Sequence, residues 1–276
     1  MPKVVLNADD LGLAENINLG ISQAYLNGFL KSVSMVSCGE SINQALNLLP
    51  LTDLDVGIHL TITQEIPLTH PKFIPSIVAN NGKFFSMQEF LMRYLNRKVN
   101  FDHVYIEWKN QVEFLLKNGL TIIHMDSHQH LHILPGIIEI TQRIKEEYDI
   151  KFCRYEPLEP FSNFLKMPKK LPYILTKIIA IINRKARKSN KMHGFVGICF
   201  SGGRLRLKHI KEVFSKLKDV PFVELNFHPG LNNSDGAIKY ASWKYDWEND
   251  LSLLCNIRLV QELKNLGFEP VGFKDL

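Results

Sequence analysis

The chain has 276 residues, 45% of them hydrophobic and 22% charged, with a formal net charge of +5. That length suits one large α/β domain or two small ones, and the composition is that of a soluble globular protein with a substantial core. The modest charge and the lack of a helix-turn-helix, finger or RNA-binding signature argue against a dedicated nucleic-acid binder. Cys38, Cys153, Cys199 and Cys255 are far apart and form no C-x-x-C pair, so they read as buried thiols in a reducing compartment. Met-Pro-Lys leads straight into a strand-like run without a signal peptide, and the cytoplasm is the expected location.

In chain order, Lys3 to Ala8 reads as a buried strand ending in Asp9-Asp10-Leu11-Gly12. Residues 15–28 look helical and close on Asn27-Gly28. A second strand is expected over Ser32 to Cys38, then a helix over 40–49 stopped by Pro50. Asp55 to Leu60 is a third strand with His59 near its end. Residues 64–86 form a long loop rich in Pro, Asn and Gly, with a turn at Asn80-Asn81-Gly82; a loop of that length in a compact domain is more often functional than idle. Helical periodicity holds over 87–118. Leu120 to Ile123 reads as a fourth strand, followed by Asp126, His128, His130 and His132, which in extended chain would share one side. A helix over 135–148, a strand over Ile150 to Tyr155 and a strand over Phe195 to Phe200 follow. The chain then gives a helix near 207–218, a strand over Pro221 to Phe227 before His228-Pro229-Gly230, a helix over 247–266 and a short strand over Glu269 to Phe273.

About eight strand–helix steps in a chain of this length predict a parallel α/β barrel. In such folds ligands sit at the C-terminal ends of the strands. Asp9-Asp10, His59, Asp126 with His128, Arg154 and His228 all fall at such ends. Asp10, His59 and one histidine of the 128–132 cluster would make an Asp/His/His metal site that leaves positions open for water and substrate. Asp9 would take the water's proton, provided the chain turns near Leu11-Gly12 so that adjacent residues reach one site. His228 is a candidate acid for the leaving group. Arg154 could orient Asp9 or bind a substrate oxygen. Taken singly, each of these residues has an ordinary reading: a helix-capping pair, a core histidine, a turn histidine, a strand-end charge. Their coincidence at matching strand ends is what carries the prediction.

Asn7-Ala-Asp-Asp-Leu-Gly12, Gly57-Ile-His-Leu60, His124-x-Asp-Ser-His-Gln-His130 and His228-Pro-Gly230 together resemble the motif set of the YdjC-like carbohydrate deacetylases, in order and over nearly the whole chain. The resemblance implies a distorted (β/α) TIM-like barrel, residues 1–276 as one domain with a variable helical insertion at about 156–193. It implies metal-dependent removal of the N-acetyl group from an amino sugar. It makes Asp10, His59 and His128 the metal ligands, choosing His128 over His130, and it makes Asp9 the base and His228 the acid. Leu11 stands where the family commonly has Phe. Arg154-Tyr-Glu-Pro-Leu-Glu-Pro160, Gly194-Phe-Val-Gly197, Ser201-Gly202 and Glu224-x-x-Phe-His-Pro229 are similar to the hopanoid-biosynthesis-associated branch, which implies a lipid-linked amino sugar. The ligand set suits Zn2+, Co2+, Ni2+ or Mn2+ and, less naturally, Mg2+.

Leu171 to Asn183 is strongly apolar, and Arg184, Lys185, Arg187, Lys188 and Lys191 follow. The apolar part is too short to span a bilayer. It reads either as a helix packed on the barrel or between two copies of the chain, or as a membrane-surface contact. Three rival functions are carried forward. An amidohydrolase would use His128-Gln129-His130 as its metal pair. A glycosidase would use Asp9 and Asp126 without metal. A catalytically silent carbohydrate-binding barrel would use none of these groups.

Overall fold

In the computed structural model, β1 (Lys3–Leu11) is the strand on which the barrel closes. The structure describes residues 1–48, 51, 53–159, 170–182, 192–217, 220–232 and 235–276. Parallel pairing runs through β2 (Ser32–Met35), β3 (Asp55–Leu60), β4 (His124–Ser127), β5 (Phe152–Pro157), β6 (Met192–Val196) and β7 (Phe222–Phe227), and β1 then pairs with both β7 and β2. Seven strands thus form a closed parallel barrel. β8 (Glu269–Val271) adds to the lower half of β1, along Lys3 to Val5. Helices α1 (Glu15–Asn27), α2 (Ile42–Leu48), α3 (Met87–Leu95), α4 (Phe101–Lys117), α5 (Ile137–Glu147) and α6 (Lys170–Ile182) surround it, with further helices over Leu207–Phe214, Asp235–Lys239, Trp247–Leu254 and Ile257–Asn265. The expected α/β TIM-like barrel is therefore present.

Strand alternation sorts the core into two parts. Val4, Leu6 and Ala8 of β1 face outward and pack with Ile17 and Ile21 of α1. Val5 faces inward and joins Ile123, Phe152, Val271 and Phe273 in a separate apolar plug at the bottom of the barrel. Above that plug the interior turns polar: Asn7, Ser32, Ser34, His124, Arg154, His193 and Glu224 are all buried. Buried polar groups persist only where they are bonded to one another. Here Ser32 Oγ donates to Asn7 Oδ1 at 2.7 Å, Asn7 Nδ2 donates to Ser34 Oγ at 2.9 Å, and Ser34 Oγ donates to Asp126 Oδ2 at 2.7 Å. The His124 ring stacks on Phe273 at 4.3 Å between centroids. A Cβ at residue 57 would lie 2.2 Å from His124 Nε2, which explains the glycine of Gly57-Ile-His-Leu.

Several expected boundaries shift, each for a local reason. The fourth strand is not Leu120 to Ile123 but His124–Ser127; Ile123 is its entry residue, with its N–H on Val56 O at 2.9 Å. Polar His124 and Asp126 belong to the ladder because they point into the polar barrel interior. The expected helix over 87–118 is two helices. Arg97 takes a positive φ of 57°, and Asn100 starts a new helix by accepting from Asp102 N at 2.9 Å. The helix expected over 247–266 is likewise divided at Asn256, whose side chain caps Ile257–Asn265. Helix Asp235–Lys239 had no counterpart in the sequence reading.

The long loop after β3 is tied down from outside by α4. Buried Glu107 accepts from Leu68 N at 3.1 Å and Thr69 N at 2.9 Å. From inside, Glu65 accepts from Tyr240 Oη at 2.8 Å and Lys239 Nζ at 3.2 Å, joining the loop to the segment after β7. Among the described residues, Cys38, Cys153, Cys199 and Cys255 are free thiols, and no helix is long and apolar enough to cross a membrane. Of the expected 156–193 insertion, the structure describes 156–159, α6 and the start of β6; the basic residues Arg184, Lys185, Arg187, Lys188 and Lys191 lie outside the described residues. α6 packs on the barrel, where Lys177 Nζ donates to Glu156 Oε1 and Pro157 O, both at 2.8 Å.

Candidate active site

Asp9 and Asp10 reach one place because β1 bulges at Asp10, which breaks the alternation of side chains there. Asp10 has a φ of 71°, a left-handed conformation that side chains seldom adopt, and the β1–β2 register shifts between Ala8 and Leu11. The turn expected at Leu11-Gly12 follows directly, with Leu13 N donating to Asp10 O at 3.0 Å and Gly12 at a φ of 95°. β3 supplies His59. His128 starts a 3-10 segment, His128–Ile133, directly after β4.

Asp10 Oδ1 lies 3.3 Å from His59 Nε2 and 3.0 Å from His128 Nδ1. Those three donors form a group able to hold a metal ion. Separations of this size are what ligands about 2.1 Å from a common cation have at angles of roughly 90–105°. The second nitrogen of His59 is already committed: Nδ1 sits 2.6 Å from Asp126 Oδ1. A carboxylate behind a ligating histidine fixes its tautomer and turns the other lone pair toward the metal. Burial alone would lower the His59 pKa, but Asp126 and Asp9, with the bonds to Asp10 and Asp126, hold it well above its usual value. A ring facing carboxylates on both sides keeps a second proton unless another cation takes the Nε2 side. Burial would likewise raise Asp10, yet His128 and His59 hold its carboxyl well below the usual range. The donors therefore fit a divalent cation in chemistry and in spacing.

Arg154, at 0% exposure, is the counter-charge beneath this centre. It grips Asp9 with two bonds of 2.7 Å, Nη1 to Oδ2 and Nη2 to Oδ1. Its Nη2 also meets Asp126 Oδ2 at 2.6 Å, and its Nε donates to Glu224 Oε1 at 3.0 Å. Glu224 Oε2 in turn meets His193 Nε2 at 2.6 Å. Burial opposes the charge on Arg154, but Asp126, Asp9 and Glu224 raise its pKa well above normal. The guanidinium is buried and holds Asp9 through both terminal nitrogens, so of its two expected roles the geometry favours orienting Asp9 over binding a substrate oxygen. Asp126 has no oxygen to spare for chemistry either, being bonded to His59, Ser34 and Arg154. That removes the geometric basis for an Asp9–Asp126 glycosidase pair.

The histidine cluster does not share one side. Gln129 and His130 have φ of 60° and 57°, which breaks the alternation an extended chain would have kept. His132 turns inward, with Nδ1 2.7 Å from Ser127 Oγ and Nε2 2.7 Å from Arg154 O; burial pushes its pKa down to about 4. His130 points at Phe195, with 5.0 Å between ring centroids. Among the described residues it joins no metal-ligating group, so the His128–His130 pair of an amidohydrolase is not assembled.

His228 lies after β7 with Nε2 3.9 Å from Asp9 Oδ2. Burial lowers its pKa against the pull of Asp9 and Asp10. Its backbone N–H donates to buried Asp250 at 3.0 Å, a carboxyl that burial raises to about 7. The loop is locked by close backbone packing: a Cβ at Gly20 would lie 2.3 Å from Gly230 Cα.

One cavity of about 410 Å3 opens on Asp9, Asp10, His59, His128 and His228. Asn226, Trp243 and Tyr245 also line it, and sequence reading had singled out none of the three. Trp243 packs 5.3 Å from the His128 ring and Tyr245 5.5 Å from that of His228. Asn226 is buried, and among the described residues its Oδ1 has no hydrogen-bond partner. The aromatic run Trp243-x-Tyr245-x-Trp247 was the visible signal for this wall.

A family model described as YdjC-like protein matches residues 3–265. A carbohydrate deacetylase of Clostridium beijerinckii is 24% identical over 275 residues, 99% of this chain and 100% of that protein. One of Oceanobacillus iheyensis is 31% identical over 265 residues, 93% and 97% of the two chains. Other curated relatives align over little more than half of their own length. A crystal structure from Enterococcus faecalis V583, whose description proposes cellobiose-phosphate cleavage, superposes with a TM-score of 0.81 at 20% identity over 99% of this chain and 98% of that one; it speaks to the fold alone. The barrel, the strand-end constellation and the family match agree: the chain belongs to the YdjC-like family.

Proposed function

We propose that this protein hydrolyses the N-acetyl group of an amino sugar, releasing acetate, with a divalent cation held by Asp10, His59 and His128. The observation that carries the reading is the convergence of those three donors with Asp9 and His228 at one end of the barrel. The relatives named carbohydrate deacetylase support the substrate class. Two imidazoles and one carboxylate favour Zn2+, Co2+, Ni2+ or Mn2+ over Mg2+. When bound, the cation lowers the pKa of a water and polarises the acetyl carbonyl.

The chain's own residues do the remaining work. Arg154 and Asn7 fix the Asp9 carboxylate, which takes the proton of the attacking water. His228, made less basic by burial, enters neutral, receives at Nε2 the proton that Asp9 took from the water, and gives it to the leaving nitrogen, so that Asp9 ends ionised again. Trp243 and Tyr245 offer an aromatic wall for a sugar face.

Acetate release tests the reading. Metal-stripped protein is assayed alone and with each divalent ion, on N-acetylglucosamine and short chitooligosaccharides. Release that requires added metal supports it. No release despite stoichiometric bound metal would move the substrate to another amide, and neither release nor metal binding would leave a silent carbohydrate-binding barrel.

A further inference from the structure

One side of the cavity is lined by Met87 and Leu91 of α3 and by Leu175 and Ile179 of α6, and its floor by the metal donors, Asp9, Asn226 and His228. Asn226 is the floor residue that neither holds the metal nor moves a proton in the reaction above. Alternation along β7 places it. Phe222 packs on the apolar plug and Glu224 meets Arg154 and His193, while Val223, Leu225 and Phe227 join the outer core. Asn226 thus tops the inward-facing column of β7, one level above Glu224.

Its two neighbours across the sheet differ. On β1 its register partner is Asn7, whose amide is engaged at both ends. Asn7 Nδ2 donates to Asp9 Oδ1 and Ser34 Oγ, both at 2.9 Å, and Asn7 Oδ1 accepts from Ser32 Oγ at 2.7 Å. On the other side stands Gly197, just past β6, which also lines the cavity. A Cβ there would lie 2.7 Å from Asn226 O and 3.0 Å from Asn226 Cβ, so any side chain at 197 would crowd Asn226. Asn226 is 4% exposed, and its Oδ1 has no partner among the described residues. A buried acceptor left unpaired costs stability, and on the floor of a catalytic cavity it calls for a ligand that supplies the partner. Rotation about χ2 brings either the acceptor or the donor of the amide to the cavity without moving the backbone.

The acetyl oxygen is polarised by the cation and the amide nitrogen is served by His228, so an amino sugar brings its hydroxyls to the floor without a partner. A hydroxyl donates and accepts, as a carboxamide does. Asn226 stands two residues before His228, next to the place of the leaving nitrogen. Resting on the reading of the floor as an amino-sugar deacetylase, we infer that Asn226 binds substrate. Its carboxamide bonds a hydroxyl on a carbon next to the one that bears the acetamido group, and so selects for the sugar rather than for the amide.

The test measures acetate release by the metal-loaded protein from N-acetylglucosamine and from its 3-deoxy and 1,5-anhydro analogues, which lack the hydroxyls at C3 and C1. Leaving a buried amide unpaired costs about tenfold, so the parent protein should show kcat/KM lower by that factor on one of the two analogues. Asn226→Leu, of similar size, should keep its metal, lose about tenfold on N-acetylglucosamine and treat that analogue no worse than the parent does, so that the preference disappears. Asn226→Ala carries the same comparison if the leucine variant does not fold. Equal kcat/KM of the parent on all three sugars would overturn the proposal and leave the deacetylase reading standing. So would a preference that survives in both variants, or a loss in both that falls equally on all three sugars. Acetate released from none of the three, with metal bound, would sink the reading of the reaction and this proposal with it.

Discussion

The floor of the cavity and its aliphatic side are built on opposite principles. On the floor the charged side chains are tied to one another: Arg154 binds Asp9, Asp126 and Glu224, Asp126 binds His59, and His59 faces Asp10. Geometry there is over-determined, and losing one group strands another charge in a buried place. On the side, Met87, Leu91, Leu175 and Ile179 are held only by shape and apolar contact, which other aliphatic residues can supply. Floor substitutions should therefore act as switches, and side substitutions as adjustments.

The severest break is expected at Arg154. Arg154→Met leaves Asp9, Asp126 and Glu224 buried without their cation, which should cost about 3–5 kcal/mol or prevent folding, as urea denaturation would read. Asp9→Asn keeps Asp10, His59 and His128, so it should retain metal by elemental analysis yet lose turnover by about 10^2- to 10^4-fold. Full activity in that variant would withdraw the base assignment. Asp126→Asn, behind His59, should weaken metal affinity by about 10- to 100-fold in a chelator competition.

Asp250 offers a smaller, pH-dependent test at the edge of the floor. Its raised pKa of about 7 means that the folded protein keeps a proton which the unfolded chain gives up near its ordinary value. Stability should then fall as pH rises from about 4 to about 7 and level off above, and Asp250→Asn should remove that slope and add roughly 1–2 kcal/mol at pH 8. The mildest change is Leu91→Met on the aliphatic side, expected to cost under about 1.5 kcal/mol in the same denaturation. A loss at Leu91 as large as that at Arg154 would erase the distinction between the two regions.

The same contrast explains what could be read in advance. Asp9, Asp10, His59, His128, Arg154 and His228 stood out because polar residues ending apolar runs are conspicuous, and strand ends of a parallel barrel converge. The left-handed bulge at Asp10 was hidden, because no glycine stands at that position. The spread of His128, His130 and His132 was hidden by positive φ at Gln129 and His130, which a rule of alternation cannot anticipate. His124 fell just past the expected fourth strand and is a packed interior residue of β4, legible only once Gly57 and Phe273 are seen beside it. The aliphatic side was the least legible part. Leu175 and Ile179 have the pattern of any helix packed on a core, and only the cavity distinguishes them.

Metal titration tests the central claim most directly. Zn2+ is titrated by calorimetry into metal-stripped protein, into His59→Ala and into Asp9→Asn. One ion per chain in the parent and in Asp9→Asn, with binding lost in His59→Ala, is the predicted result. No binding in the parent, or binding that survives His59→Ala and disappears in Asp9→Asn, would contradict the assignment of Asp10, His59 and His128 as the metal centre.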